Sequence, residues 1–353
     1  MKIQLRLILI LLIYISLCDG LYSQIGGRYS FQTSSLPTNA RATALGGTVI
    51  NILDDDVALA QFNPAVVDSS MHNQISINHN FHFAGIQNGN LSYGRILPKL
   101  NGLETHFAIQ YVSFGTFDQT DVFGNINGEF SAGEVALVAG AGKQLNSRIR
   151  GGVNFKVLTG SYESFNAFGL GVDIGFHYEK DKFSSWALVL RNIGGELSGI
   201  GERRRALPFD LQLGYSKRLA HLPFRLTIIG HNLQTPYIRY DDPEFDVSFD
   251  IEGNRTERGG FSRNIDNLFR HLIISGEFLI GKDEKVRLRF GYDHLRRQEL
   301  RASTFSSRGG FSFGVGFNIK KIKIDYGIGV YHLAGATNHI SIRYDLSRIN
   351  RKV

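Results

Sequence analysis

Three aspartates stand side by side at Asp54-Asp55-Asp56, and a run of carboxylates invites a search for a cation. Consecutive carboxylates point in different directions and repel one another, so the run suits several separate ion pairs better than one metal. Arg150, Lys156, Arg287 and Arg289 are the expected partners. The 11 histidines show no His-Glu-x-x-His pair or other metal spacing. His231, His271 and His332 read as hydrogen-bonding groups at a rim or in a lumen rather than ligands. No Gly-x-Ser-x-Gly turn presents a nucleophile. The only cysteine, Cys18, falls in an N-terminal apolar stretch, which leaves no thiol or disulfide downstream. These residue types argue against an enzyme, and neither a metal nor a cofactor is expected.

Charge elsewhere points to contacts rather than catalysis. Arginine forks suit phosphate and carboxylate oxygens. They gather at Arg203-Arg204-Arg205 and at Arg296, Arg297, Arg301 and Arg308, either to meet anionic head groups, sugars or a partner, or as plain solvated loops. Asp241, Asp242, Glu244, Asp246 and Asp250 form an acidic counterpart, suited to a protein partner or a divalent cation, or again simply hydrophilic. Formal net charge is +7, and about +6 once Lys2, Arg6 and Asp19 leave with a signal peptide.

The elements that must position these residues are strands. Phe168, Leu170, Val172, Ile174, Phe176 and Tyr178 alternate with Gly169, Gly171, Asp173, Gly175 and His177, and the same two-residue period recurs about fourteen times between Gln74 and Asp345. A strand sends such sets to opposite faces. Upstream, Lys2 and Arg6 precede a short apolar run and small residues, the pattern of a secretory signal peptide over 1–23. Connections after even-numbered strands are short, whereas Phe114 to Gly128, Ile193 to Leu207, Leu233 to Asn267 and Arg297 to Arg308 all follow odd-numbered ones. Outer-membrane barrels sort their loops in this way, with short periplasmic turns at one rim. The expectation is an all-β chain: a 14-stranded antiparallel transmembrane β-barrel over 74–346, in the outer membrane of a Gram-negative bacterium, with a short tail at 347–353. Residues 24–73 carry too many apolar side chains for a disordered tail. A barrel whose outside faces lipid can bury them only in its lumen, as a hatch or plug, and the glycines of the inward set leave room for one.

Ala40-Arg41, Leu45-Gly46-Gly47, the aspartate cluster and Asn63-Pro64-Ala65, placed before fourteen strands, resemble the hatch of the FadL-type long-chain fatty-acid transporters. Gln24-Ile25-Gly26-Gly27-Arg28-Tyr29, Leu219-Ala220-His221-Leu222-Pro223-Phe224-Arg225 and Tyr331-His332-Leu333-Ala334-Gly335 resemble, within that superfamily, the PorQ type of type IX secretion component. That resemblance implies a non-enzymatic subunit anchoring the complex that joins secreted cargo to lipopolysaccharide. Its implied partners are a PorZ-like surface protein, with the sortase PorU and the shuttle PorV nearby. The alternative is transport of a hydrophobic ligand, for which Phe114, Phe117, Val122 and Phe123 are the expected pocket lining.

Overall fold

Alternation makes every strand two-faced, and closing the sheet gives each face one environment. In the computed structural model, which describes residues 29–199, 204–240, 247–249, 255–257, 259–300, 309–332 and 335–346, fourteen antiparallel strands form a closed barrel. They are β1 (Gln74–Phe81), β2 (Gln87–Leu97), β3 (Leu103–Thr120), β4 (Ile126–Gln144), β5 (Ile149–Tyr162), β6 (Phe165–Asp181), β7 (Ser184–Ser198), β8 (Asp210–Arg218) and β9 (Phe224–Gly230). After a separate small hairpin, β10 (Val247–Phe249) and β11 (Arg255–Glu257), come β12 (Leu272–Ile280), β13 (Val286–Asp293), β14 (Phe311–Ile319), β15 (Ile322–His332) and β16 (Gly335–Asp345). The seam is the pairing of β1 with β16, from Gln74 opposite Asp345 to Phe81 opposite Asn338.

Ile77, Phe107, Leu170, Phe176, Leu288, Phe313 and Ile342 point outward and are exposed. Ser76, Asn78, Asn154, Asp173, Ser312 and Ser341 point inward and are buried. An outward apolar belt over a polar interior is the inverse of a soluble sheet. The Trp186 and Tyr215 rings lie 4.6 Å apart, tilted by 45°, on that belt, near the rim of short turns.

Several element ends depart from the expected ones. The stretch 114–128 is mostly strand: pairing shifts at Ser113/Gly115 and resumes from Gly115 opposite Ala132 to Gln119 opposite Gly128. This hairpin stands above the lipid belt and needs no apolar face, so its strands carry little alternation to read. Its turn is closed by Asp121, whose carboxyl accepts from Asn125 and from the amides of Phe123 and Asn125. Hydrogen bonding from Asn125 holds that carboxyl below its ordinary value. β7 runs on to Ser198 through a bulge, where Asn192 donates its amide to Asp173 at 2.8 Å. Leu268, Phe269 and Arg270, expected in a strand, end helix α2 (Gly260–Arg270). β13 stops at Asp293, whose side chain accepts from the Arg296 amide and caps helix α3 (His294–Glu299).

Residues 29–73 form 3-10 turns and one short helix, α1 (Ala40–Ala44), that pack against the inward-facing side of the wall. Arg41, Leu45, Ile50, Leu59, Phe62 and Met71 are fully buried there. The fit to the wall depends on glycine. A Cβ at Gly152 would lie 2.4 Å from the Pro64 carbonyl carbon, and one at Gly327 would lie 2.2 Å from the Ala40 carbonyl oxygen.

Candidate functional site

The lumenal segment is held by charge at one end and by close backbone packing at the other. Asn39 caps α1 through the Ala42 amide at 2.7 Å, which orients Arg41 toward the wall. Arg41 grips Glu277 of β12 with two parallel bonds, Nε to Oε1 and Nη2 to Oε2, both 3.0 Å. Its Nη1 reaches the Asp54 carboxylate at 2.8 Å and Asp56 at 3.5 Å. Glu277 also accepts from Arg225 at 3.1 Å and Arg289 at 2.9 Å. Asp325 takes Arg289 at 2.6 Å and Arg343 at 3.0 Å, and Arg343 returns to Asp56 at 3.2 Å. Asp55 pairs with Lys323. Bidentate arginine geometry makes the strongest of these contacts, and burial makes each costly to leave half-formed.

The aspartates therefore form ion pairs with the wall, but not with the expected side chains. None of Arg150, Lys156, Arg287 and Arg289 makes a direct ion-pair contact with them, although Arg287 is near enough for its charge to act on Asp54. Arg150 donates to the carbonyls of Ala65, at 3.0 Å, and Val67, and pairs with Glu104. Lys156 pairs with Asp173 at 2.8 Å, and Arg287 with Glu284 at 3.3 Å. Arg289 is spent on Glu277 and Asp325. A strand's inward set is legible, whereas the height at which each member meets the segment depends on the stagger of the whole barrel.

Asn63-Pro64-Ala65 is a capped turn set against glycines. Asn63 accepts from the Ala65 amide at 2.9 Å and donates to the Ile50 carbonyl at 2.7 Å. A Cβ at Gly175 would fall 2.0 Å from its Oδ1. Leu45-Gly46-Gly47 ends α1: both glycines have positive φ, 93° and 107°, and the Gly47 amide bonds back to Ala42 at 2.8 Å.

Apolar contacts fill the remaining lumen. Leu45, Ile50, Leu59, Phe62 and Val66 pack with the inward Ala187, Val189, Ile229 and Ile273. In the half nearer the long loops, Phe31 and Leu207 pack with Ala136, Leu158, Ala167 and Tyr162. Toward the other rim, a polar cavity of about 240 Å³ lies between Asn51–Leu53 and β6–β8, with His177, Ser216 and Arg225 on its wall. The expected cluster of Phe114, Phe117, Val122 and Phe123 does not converge. Phe117 stacks on Phe130 at 5.4 Å, and Val122 and Phe123 stand at the hairpin tip, 93% and 87% exposed.

Of the expected outer-loop residues, Arg204 and Arg205 are exposed, and the Arg205 amide donates to Glu196 at 3.3 Å. Arg296 folds back over the Tyr331 ring at 3.9 Å, beside Gly47, and Arg297 is half-buried. Arg203, Asp241, Asp242, Arg301 and Arg308 lie outside the described residues, as do Glu244, Asp246, Asp250, the expected signal peptide and the tail. His271 donates from Nδ1 to the His231 carbonyl at 2.9 Å.

Motif and cluster reasoning does not single out Glu277 and Asp325. The signal was present: Glu277 is the one carboxylate in the inward set Ile273, Ser275, Glu277, Leu279, and Asp325 the one in its strand.

No protein-family model matches the chain, and no curated protein matches it. Among solved structures, the Pseudomonas putida toluene transporter TodX aligns with a TM-score of 0.50 at 14% identity, over 87% of this chain and 96% of that one. The monoaromatic hydrocarbon channel CymD gives 0.50 at 10%, over 88% and 96%. A FadL homologue from Pseudomonas aeruginosa gives 0.47 at 11%, over 87% and 98%. The fold is that of TodX: a closed, 14-stranded antiparallel β-barrel.

Proposed function

We propose that this protein is an outer-membrane conduit for small hydrophobic solutes, with residues 29–73 as its hatch. The observation that carries the reading is the apolar packing of Phe31 and Leu207 against Ala136, Leu158, Ala167 and Tyr162 inside the wall. A polar pore has no use for such a lining, and a shift of Phe31 or Leu207 would leave an apolar pocket facing the outer loops. TodX and CymD are described as a toluene transporter and a monoaromatic hydrocarbon channel, which fits that solute class. The test is uptake of a labelled monoaromatic compound by cells whose outer membrane carries this chain as its only such barrel. Uptake faster than in cells lacking the chain is expected, and equal uptake refutes the reading.

A second reading, an anchor in the type IX attachment complex with a PorZ-like surface partner, draws support from the β3–β4 hairpin. Its exposed Val122 and Phe123 offer an apolar tip beyond the lipid belt. Affinity purification of the native protein from its own membranes tests it: recovery without such a partner removes this reading and leaves the conduit untouched.

A further inference from the structure

Helix α2 is amphipathic the wrong way round for a helix packed on a protein. Its polar side faces inward. Asp266, buried, accepts from Arg239 at 3.0 Å, Arg270 at 2.9 Å and His294 at 3.1 Å. Asn267 accepts from the amides of Ile238 and Arg239 and donates to the Pro236 carbonyl at 2.8 Å. Its apolar side, Phe261, Ile265, Leu268 and Phe269, is exposed, Phe261 by 82% and Leu268 by 59%. Spacings of four, three and one place these four on one stripe of the helix. A water-facing surface normally carries the opposite pattern, and an apolar patch held outward by a fixed polar anchor marks a contact site.

The position of the stripe identifies its occupant. Only His271 separates α2 from β12, so the helix sits at the rim where β12 enters the lipid belt. The Phe269 ring lies 5.9 Å from that of His294, which lies 5.9 Å from Tyr292, which lies 5.0 Å from Phe311. Tyr292 and Phe311 share the outward faces of Leu288, Phe290 and Phe313. The stripe is thus continuous with the surface the barrel presents to acyl chains. We infer that α2 lies in the outer-leaflet interface, with Phe261, Ile265, Leu268 and Phe269 in the acyl region and the Asp266 cluster fastening the helix to the barrel rim. Interfacial helices bind membranes in this way, through apolar area on one face alone.

Tryptophan quenching by brominated acyl chains tests this on the full chain. The native protein has one tryptophan, Trp186, which faces outward on β7 and serves as the lipid-exposed standard. In a Trp186→Phe background, Phe261→Trp and Leu268→Trp report on the stripe and Phe123→Trp on the water-exposed hairpin tip. The proteins are reconstituted in phosphatidylcholine–phosphatidylglycerol vesicles with and without brominated chains. Quenching at positions 261 and 268 matching that of native Trp186, and several-fold above that at 123, is expected. Quenching at 261 and 268 no greater than at 123 overturns the inference and assigns the stripe to a protein. Phe261 contributes little to the packed interior, so its variant reads the result even where Leu268→Trp fails to fold.

Discussion

At the scale of the residue, Glu277 is the pivot of the lumen. It is 1% exposed and takes three guanidinium groups, from Arg41, Arg225 and Arg289. Glu277→Gln leaves those cations short of a counter-charge, and breaking a buried pair costs about 3–5 kcal/mol. A lowered thermal midpoint and faster tryptic cleavage near Arg41 are expected; an unchanged midpoint would show that the arginines are balanced elsewhere. Gly152 tests the other end of the segment. Gly152→Val drives a side chain into Pro64, at a cost of about 1–3 kcal/mol for overpacking, and loosens the Asn63-Pro64-Ala65 turn toward proteases. Gly260→Ala, where nothing lies within 4 Å, is the control and does not lower stability. The aspartate cluster was legible as a set of ion-pairing groups because side-chain chemistry is local. Its partners were not, because Lys323 and Arg343 lie some 270 to 290 positions further along the chain and meet the aspartates only once the barrel's stagger is set.

At the scale of the element, strands were read well where they cross lipid and poorly above it. β6 and β13 alternate because one face must be apolar, whereas the upper part of β3 and β4 meets water on both faces and its ladder leaves no such trace. Helix α2 escaped notice for a related reason: its polar residues serve the interior and its apolar ones the exterior. Asp266 makes that inversion measurable. Burial pushes its carboxyl up, and the bonds from His294 and Arg270 and the charge of Arg270 more than offset this, so its value lies below the ordinary one. A carboxyl depressed in the folded state adds stability that is fully present above the unfolded value, near pH 4, and is lost as pH falls through the folded one. Acidification below about pH 4 should therefore release α2 before the barrel opens, seen as peptic cleavage between Arg263 and Arg270 with the β-sheet circular dichroism intact. Asp266→Asn should give tryptic cleavage in the same segment at neutral pH.

At the scale of the whole molecule, the fold follows from a two-residue period, a closed count of strands and loops sorted to one rim. The lumen follows from neither. Its filling by residues 29–73 predicts a barrel that carries little current: in planar bilayers the native chain should stay near baseline conductance, and a steady porin-sized opening would contradict the packed interior. Glu277→Gln should raise the frequency of transient openings, since it loosens the strongest tether between the wall and residues 29–73.

The seam between β1 and β16 gains a meaning from the aspartates beside it. Gln74, the first residue of β1, donates to the Asp55 carbonyl at 2.7 Å and accepts from the Val57 amide at 2.9 Å. Arg343 of β16 meets Asp56 from the opposite side. A slip of one residue at the seam would turn Arg343 and Ser341 to lipid and Ile342 inward, because side-chain direction reverses with each step. The same short stretch of chain thus touches both edges, and the Asp56–Arg343 pair forms only when they meet in the native alignment. It is a proofreader for closure, and a chain with Asp56→Asn should leave a larger share of barrels mispaired at their first and last strands.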